Sequence, residues 1–182
     1  MRCSMKIRRA LLHDKEQLQH LFRTVIDDTF RLNNLSDEED KAAEYQTKIH
    51  YLQSDFDTEG QEKKFFVAEL DERIIGCITY GKANQMINEI THDALKETFE
   101  IGTLYVHPDY QGNRIGSRLI DHVREDMKQN GITHYCLDCG YKTAQVKWCR
   151  KFGEPTYNAQ DYWGKNDDHL IWVRVIDETY LK

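Results

Sequence analysis

The sequence predicts an α/β (α+β) fold in which about four helices flank a mixed, mostly antiparallel central sheet. Apolar and β-branched runs of strand length alternate with stretches whose apolar residues recur at helical spacing. One strand leads through a glycine-containing loop into an amphipathic helix and then into another strand, which is the order of a right-handed parallel crossover. No internal repeat or linker interrupts the 182 residues, so we expect a single domain over residues 1–182.

The first third of the chain is predicted to hold one strand and two helices. The strand covers residues 5–12, the first helix ends near residues 28–31, and the second helix runs to about Asp55. The apolar face of the first helix consists of Leu18, Leu21, Phe22, Val25 and Ile26. Capping boxes are predicted from Asp14 with Gln17 and from Ser36 with Glu39.

The middle of the chain is predicted to form a hairpin and a polar connection. Residues 65–70 and 73–80 have strand composition, and Asp71-Glu72 between them indicates a hairpin turn. Gly76 inside the second strand suggests a bulge or a close backbone contact. Residues 84–96 are polar and are predicted to be irregular.

The last third is predicted to contain a strand, a helix and a terminal hairpin. The strand covers residues 134–139, and Thr143 is the expected cap of the helix that follows. The hairpin consists of residues 157–163 and 169–176.

The stretch from Ile101 to Met127 organises the rest of the chain. Its first residues form a strand that ends at Pro108, because proline cannot donate a ladder hydrogen bond. A small-residue loop follows, and then an amphipathic helix with the apolar stripe Ile115, Leu119, Ile120, Val123 and Met127. The glycines of the loop permit a tight turn before the helix. Exposed N–H groups at a helix start form an anion site that suits a phosphate.

This stretch resembles the acyl-CoA loop of the GNAT N-acetyltransferases. The family pattern is Gln or Arg, two variable residues, Gly, one variable residue, then Gly or Ala, after a strand that ends in a Val-x-Pro-like turn. Gln111 and Gly116 match its ends, and Gly112 is a frequent addition. The order of elements is also that of the family over nearly the whole chain. The resemblance implies a sheet whose central parallel strands splay apart to admit acetyl-CoA.

Arg114 is a departure, because it stands where the family usually has its middle glycine. Its side chain is expected to require an ordinary backbone conformation. The side chain could place a cation beside the pyrophosphate of CoA, or it could loosen the fit of the loop.

The resemblance assigns residues to acetyl-CoA as a cosubstrate. The main chain of Leu104, Tyr105 and Val106 would pair with the pantetheine arm. The pyrophosphate would lie against Gln111, Gly112, Asn113, Arg114, Ile115, Gly116 and Ser117. The protein would then act mainly by positioning the thioester for direct attack by an amine.

A direct attack requires a base, because an alkyl amine with a pKa of about 10.4 is protonated at neutral pH. Glu100 is the candidate, since many GNAT enzymes place a glutamate on this strand; a solvated or salt-bridged strand residue is the alternative. Glu97 and His169 are weaker candidates, and His169 is more simply interpreted as a hydrogen-bonded strand histidine.

The last helix matches the family less well. Alignment on Gly153 places Lys142 at the usual asparagine and Cys149 at the usual tyrosine, which protonates the departing thiolate. Cys149 could act as this acid or be an inert, buried thiol, with solvent protonating the thiolate instead. If Cys149 were acylated, the mechanism would be ping-pong. Lys142 could contact a CoA phosphate or be an ordinary exposed lysine.

The acceptor is predicted only as a class, a small-molecule or peptide amine. The family relation implies that the first two helices and the terminal hairpin wall the acceptor side. Acidic residues there would favour a cationic acceptor, although a solvated charged face is the simpler interpretation. These residues are Asp27, Asp28, Asp37, Glu38, Glu39, Asp40, Asp167 and Asp168. A non-catalytic acyl-CoA-binding regulatory module is the rival function.

Composition excludes several classes of protein. The formal charge of −6 argues against a nucleic-acid partner, and no apolar run is long enough to cross a membrane. The five cysteines Cys3, Cys77, Cys136, Cys139 and Cys149 have no disulfide-framework spacing, which fits a cytoplasmic location. Cys136 and Cys139 are expected to be two buried thiols and no metal site is predicted. A homodimer is compatible with the sequence.

Overall fold

A computed structural model describes residues 4–177, which form seven strands and five α-helices. The strands are β1 Lys6–Arg9, β2 Lys63–Leu70, β3 Arg73–Lys82, β4 Phe99–Val106, β5 His134–Cys139, β6 Tyr157–Ala159 and β7 His169–Val175. The helices are α1 Lys15–Leu32, α2 Glu38–Thr58, α3 Gln85–Ile90, α4 Ile115–Gln129 and α5 Lys142–Phe152.

The strands form a sheet in the order β1-β2-β3-β4-β5-β7-β6. β4 and β5 are parallel, with Phe99 opposite Tyr135 and Glu100 opposite Cys136, and their register extends no further in the described part of the chain. The pairs β1–β2, β2–β3, β5–β7 and β6–β7 are antiparallel. The predicted mixed sheet, mostly antiparallel with one parallel pair across the α4 crossover, is confirmed.

The β2–β3 hairpin is also confirmed. Asp71 and Glu72 have φ values of 50° and 63°, the positive pair that suits a two-residue hairpin turn. The register of the two strands shifts next to Gly76, so the predicted bulge is present. A Cβ at Gly76 would lie 3.0 Å from the carbonyl oxygen of Tyr105, which is the predicted close backbone contact.

The predicted cap of α1 is wrong. Asp14 lies at the N-cap, but its carboxylate makes no capping hydrogen bond. It accepts instead from the Arg8 guanidinium at 2.7 and 2.9 Å and from the Leu11 N–H at 2.8 Å. Gln17, the expected partner, accepts a hydrogen bond from the Ile74 N–H at 3.0 Å. Partners on the N-terminal side, Arg8 and Leu11, therefore occupy the Asp14 carboxylate, and the distant Ile74 occupies Gln17.

The predicted caps of α2 and α5 also differ from those observed. Asp37 rather than Ser36 caps α2, and its carboxylate accepts from the N–H groups of Glu39 and Asp40. A carboxylate is at least as good an N-cap as a hydroxyl, so the neighbouring residue takes the position. Tyr141 is the N-cap residue of α5 and its side chain makes no capping hydrogen bond, so Thr143 is not the cap.

Residues 84–96 contain a short helix, α3, that the sequence analysis predicted as irregular. Asn84 caps it through a hydrogen bond from the Ile87 N–H at 2.9 Å. Ile87 is fully buried, so burial of one apolar residue stabilises a helix in a polar stretch. Residues 4–177 therefore contain five α-helices, where about four were predicted. The first strand of the terminal hairpin is also shorter than predicted, because β6 covers Tyr157–Ala159.

The chain divides into two compact units, and the single-domain organisation stays a prediction. The first unit contains the residues up to Gly81 and Thr103–Asp126. Phe22 of α1 and Phe65 of β2 are fully buried in it, with ring centroids 6.0 Å apart. Asp55 is also fully buried there, and its carboxylate accepts from the Arg9 guanidinium at 2.6 and 2.9 Å.

The second unit contains Lys82–Gly102 and the residues from Met127 onward. One cluster of its core is formed by Ala83, Ile87, Leu95, Cys136 and Ile171. Trp172 is fully buried, and its indole N–H donates to the carbonyl oxygen of Gly153 at 2.9 Å. This hydrogen bond joins β7 to the end of α5.

Cys136 and Cys139 are buried free thiols, as predicted. Burial raises the pKa of Cys139 to about 12 and that of Cys77 to about 12. Cys3 lies outside the described residues. Within residues 4–177, no group of three or more His, Cys, Asp and Glu side chains is arranged to hold a metal ion. None of the helices described here has the length and hydropathy needed to cross a membrane.

Candidate functional site

The loop between β4 and α4 is short and exposed. β4 ends at Val106, a turn follows at Pro108–Tyr110, and α4 begins at Ile115. Residues 111–114 are exposed, whereas Ile115 is buried and fixes the first turn of α4 to the core of its unit. The first N–H groups of a helix have no acceptor within the helix and lie at its positive end. The start of α4 is therefore suited to an anion.

Side chains of the loop hold its conformation. The Gln111 amide donates to the carbonyl oxygen of Val106 at 3.2 Å. The Asn113 amide donates to the carbonyl oxygens of Tyr110 and Gln111 at 3.1 and 3.3 Å. These bonds tie the loop to the end of β4 and to its own main chain, so the loop is ordered by contacts that it makes itself.

Arg114 does not have the ordinary backbone conformation that its side chain predicts. Its φ is +59°, and that of Gly112 is +81°. The Arg114 carbonyl oxygen already accepts the helical hydrogen bond of the Arg118 N–H at 3.0 Å, so the entry into α4 fixes this residue. A left-handed conformation costs an L-residue about 1–2 kcal/mol. The expected ordinary conformation of Arg114 is therefore wrong, because the path of the chain into α4 determines φ here and the side-chain preference does not.

The two loop glycines have room beside their main chain. A Cβ at Gly112 would meet nothing within 4 Å. A Cβ at Gly116 would lie 3.7 Å from the Leu104 side chain and 3.9 Å from that of Val106, which is ordinary contact. Glycine or alanine is therefore sterically acceptable at position 116, as the family pattern has it. Ser117, the next residue, is half-buried.

The end of β4 is fixed by the side chain of Tyr105. Leu104, Tyr105 and Val106 are half-buried. The Tyr105 hydroxyl donates to Oε1 of Glu44 at 3.1 Å, and the same oxygen lies 3.2 Å from the Lys48 ammonium. These α2 residues were not predicted as part of the site, because their helical spacing says nothing about which strand they contact.

Thr103 is a second residue that the sequence analysis missed. It is a buried, β-branched strand residue with a φ of +45°, which is a genuine outlier for this residue type. Its hydroxyl has no hydrogen-bond partner among residues 4–177. The Cys77 thiol lies 3.5 Å from its carbonyl oxygen. No sequence signal could have revealed this strain, since threonine favours an ordinary strand conformation.

Glu100, the candidate base, is buried, so it is not the solvated strand residue of the alternative interpretation. It is 5% exposed. Its Oε2 accepts from the Asn84 N–H at 2.8 Å, and its Oε1 accepts from the Asn84 side-chain amide at 3.0 Å. Asn84 is a residue that the sequence analysis missed, although an asparagine before Ile87 and Ile90 is a helix-cap signal.

The two weaker base candidates have different surroundings. Glu97 is exposed and its carboxylate lies 2.8 Å from the Lys82 ammonium. His169 is 4% exposed, and its Nδ1 accepts from the Trp163 indole N–H at 3.1 Å. Nε2 must then carry the proton, which it donates to Asp138 at 2.9 Å. His169 is therefore the hydrogen-bonded strand histidine that was expected.

The two α5 residues lie on the N-terminal turn and near the end of the helix. The Lys142 ammonium lies 2.8 Å from the carboxylate of Asp167, so it takes part in an exposed ion pair. The Cys149 thiol is half-buried, and therefore less enclosed than the buried, inert cysteine expected as one alternative. Neither observation tests a role toward CoA or its leaving thiolate.

Many of the acidic residues have local partners. Lys41 pairs with Asp27 and Glu38 at 3.3 and 2.9 Å. Asp37 caps α2, as described above, and Asp168 accepts from the Asp161 N–H at 2.9 Å. These contacts favour a solvated charged face that stabilises helix and loop ends over an acidic recognition surface.

Known proteins resemble this chain both in family and in fold. A profile of the Acetyltransferase (GNAT) family matches residues 26–153. No curated protein sequence matches the chain.

Several solved structures share the fold. An N-acetyltransferase from Staphylococcus aureus Mu50 has a TM-score of 0.68 and 16% identity, covering 96% of this chain and 99% of that one. The PaiA N-acetyltransferase from Thermoplasma acidophilum, in complex with coenzyme A, has a TM-score of 0.67 and 18% identity. The match covers 93% of this chain and 98% of that one. YncA from Salmonella typhimurium, in complex with acetyl-CoA, has a TM-score of 0.60 and 16% identity. The match covers 96% of this chain and 95% of that one. At these identities the likeness concerns the fold alone.

Proposed function

Because the chain belongs to the GNAT family of acetyltransferases, we propose that it transfers the acetyl group of acetyl-CoA to a primary amine. The observation that carries the proposal is the loop before α4. Gly112 and Arg114 have left-handed backbone conformations there, and the exposed residues 111–114 lead directly into the helix. Such a helix start supplies N–H groups and positive potential to a diphosphate.

In this proposal two segments of the first unit hold acetyl-CoA. The main chain of Leu104–Val106 pairs with the pantetheine arm, and residues 111–117 surround the pyrophosphate. The exposed Arg114 adds a cation to the loop, and a contact of Lys142 with a CoA phosphate stays a prediction of the family resemblance. Bound acetyl-CoA supplies an acyl group activated as a thioester.

Glu100 is the proposed base for the acceptor amine. An amine attacks only after it loses a proton, and a carboxylate can take this proton directly or through water. The two hydrogen bonds from Asn84 orient the Glu100 carboxylate. Glu100 acts in direct transfer, in which no acyl-enzyme forms.

The departing thiolate is protonated by Cys149 or by solvent. The variant Cys149→Ala distinguishes these two proton donors. If Cys149 is the acid, the variant has a lower kcat; if solvent protonates the thiolate, kcat is unchanged. A Cys149→Ala enzyme with full activity excludes both an acid role and an acyl-cysteine for this residue.

The test of the proposal is acetyl transfer to a panel of amines, followed as release of free CoA thiol and as a mass increase of the acceptor. We expect release with at least one small-molecule or peptide amine. Glu100→Gln should lower kcat and remove the acidic limb of the pH–rate profile. The matched control is Glu97→Gln, an exposed carboxylate whose loss should leave the rate unchanged.

Asn84→Ala separates a base from a merely structural carboxylate. It removes the side-chain amide that donates to Oε1 of Glu100 but keeps the main-chain N–H donor and the carboxylate, so a base role predicts a retained acidic limb with lower stability. If Glu100→Gln and Asn84→Ala have identical pH profiles and differ from the parent in stability alone, Glu100 is not the base.

One observation favours a second candidate, a non-catalytic acyl-CoA-binding regulatory module. Both oxygens of Glu100 are engaged by Asn84, as expected for a carboxylate that fixes the start of α3. This function predicts acetyl-CoA binding without thiol release for any amine. The cytoplasmic location, the identity of the acceptor and a homodimeric assembly stay predictions.

A further inference from the structure

The last residues of β4 have two main-chain edges. The carbonyl oxygen of Tyr105 faces β3, since a Cβ at Gly76 would lie 3.0 Å from it. The N–H of His107, two residues further along, donates to the carbonyl oxygen of Ile75 in β3 at 2.9 Å. In an extended strand, the main-chain groups of successive residues point to opposite edges. The main chain at positions 104 and 106 therefore faces away from β3.

The edge that faces away from β3 is reached from outside the sheet. The Gln111 amide donates to the carbonyl oxygen of Val106 at 3.2 Å, so a side chain of the loop already contacts this edge. The register of β4 with β5 extends no further than Glu100 in the described part of the chain. In the proposed function, the main chain of Leu104 and Val106 would therefore pair with the pantetheine arm, and Tyr105 would contribute its side chain instead.

The Tyr105 side chain contacts two helices of the first unit. Its ring meets the Phe22 ring of α1 edge-on, with the centroids 6.0 Å apart. Its hydroxyl donates to Oε1 of Glu44 in α2 at 3.1 Å, and the Lys48 ammonium lies 3.2 Å from the same oxygen. The exposed fraction is 14% for the Lys48 side chain and 29% for the Glu44 side chain, so water competes little for these contacts.

A hydrogen bond at the hydroxyl of Tyr105 restrains the main chain to which the ring is attached. Tyrosine has two side-chain torsions between its main chain and its ring, so a hydroxyl held by Glu44 restricts the orientation of the strand at this residue. Positions 104 and 106 are bonded directly to Tyr105, and the direction of their main-chain groups follows from its orientation. A ligand binds more tightly to groups that are already ordered, because less conformational freedom is lost on binding.

We propose that Glu44 is a positioning residue for acetyl-CoA, which acts through the Tyr105 hydroxyl on the main chain of Leu104 and Val106. The inference rests on the proposed function, because it requires the pantetheine arm to pair with this edge of β4. It adds a residue of α2 to the acetyl-CoA site, and Glu44 itself needs no contact with the ligand.

The experiment is calorimetric titration with two ligands, acetyl-CoA and 3′-phospho-ADP, which is CoA without its pantetheine arm. Both carry the diphosphate for residues 111–117, whereas only acetyl-CoA can pair with β4. The variant Tyr105→Phe removes one hydroxyl and changes no charge. We expect it to bind acetyl-CoA about fivefold more weakly than the parent, which is the effect of a single hydrogen bond. Its affinity for 3′-phospho-ADP should be unchanged.

Three variants of α2 assign the effect to the hydrogen bond. Glu44→Ala removes the acceptor of the Tyr105 hydroxyl and should weaken acetyl-CoA by about the same factor. Glu44→Gln keeps an acceptor but removes the charge that faces Lys48, so it should retain the affinity of the parent. Glu39→Ala is the matched control, because this exposed carboxylate lies on the first turn of the same helix, and it should have no effect.

The comparison of the two ligands separates positioning from a contact that stabilises the fold alone. Equal weakening of both ligands would overturn the inference, as would an unchanged affinity of Tyr105→Phe for acetyl-CoA. Glu44→Gln that binds acetyl-CoA as weakly as Glu44→Ala would overturn it as well. A parent protein that does not bind acetyl-CoA would overturn the proposed function together with this inference. Thermal melting shows that each variant is folded before it is titrated.

Discussion

Replacing Arg114 by glycine is expected to stabilise the protein. The φ of +59° at this residue costs an L-amino acid about 1–2 kcal/mol, and glycine removes this cost. Glycine also gives the unfolded chain more freedom, which offsets about 0.5–1 kcal/mol of the gain. The side chain is exposed, so its removal loses little packing. The net gain should be about 0.5–1 kcal/mol, which for a chain of this length raises Tm by about 1–4 °C.

The assay is thermal and urea unfolding of the parent, Arg114→Gly and Arg114→Ala. Alanine removes the guanidinium but keeps the Cβ that causes the strain, so Arg114→Ala should show no comparable gain. If alanine stabilises as much as glycine, the effect comes from the side chain and the strain argument is refuted. A destabilised Arg114→Gly would refute it as well. The affinities of the same variants for acetyl-CoA separate two roles of Arg114. Loss of the guanidinium weakens binding equally in Arg114→Gly and Arg114→Ala, whereas an effect of loop geometry makes the two variants differ.

Three further predictions concern the interior. Asp55→Ala should lower the free energy of unfolding by about 2–4 kcal/mol in urea denaturation, because it leaves the buried Phe65 N–H without its acceptor and the half-buried Arg9 guanidinium without its carboxylate; exposed Asp57→Ala should change it by less than about 0.5 kcal/mol. Burial alone would raise the pKa of Asp14, but the Arg8 hydrogen bonds outweigh it and the pKa is lowered. The stability that Asp14 contributes is therefore present above its unfolded pKa of about 3.9 and is lost as the pH falls below that value. Asp14→Asn should flatten the acid limb of the curve of unfolding free energy against pH. An unchanged limb would contradict this. Alkylation by iodoacetamide at pH 8, followed by mass spectrometry, should modify Cys149 at least about tenfold faster than Cys139, whose pKa is raised to about 12 by burial; equal rates would contradict it.

The sequence predicted the parts of the fold that depend on hydrophobic period and turn chemistry. Residues 101–106 form an apolar and aromatic run, the helix that follows has a period-3.6 stripe, and Asp71 in the hairpin turn is a residue type that tolerates positive φ. Caps were less predictable, because Asp14 is drawn away by Arg8, a partner that only the folded chain brings close. The short helix α3 depends on burial of Ile87, and its one local signal is the cap residue Asn84 in an otherwise polar stretch.

The candidate site shows the same division. The residues of the loop could be identified by their pattern, because glycines and a helix start are encoded locally. The partner of Glu100 could not be identified in this way, since Asn84 is 16 positions away in the sequence and the connection between them was predicted to be irregular. The strain at Arg114 and Thr103 is also invisible in the sequence, because the preference of each residue contradicts the conformation that the surrounding structure imposes.

The most direct test of the central claim is calorimetric titration of acetyl-CoA into the parent and two variants, Gly112→Asp and Gly112→Asn. Both introduce a side chain at the same left-handed position, where an added Cβ meets nothing within 4 Å, and they differ by one negative charge. If the loop holds the pyrophosphate, the parent binds acetyl-CoA, and Gly112→Asp binds about tenfold more weakly than Gly112→Asn through charge repulsion. Equal affinity of the two variants, or no binding by the parent, would contradict the assignment of this loop to acetyl-CoA.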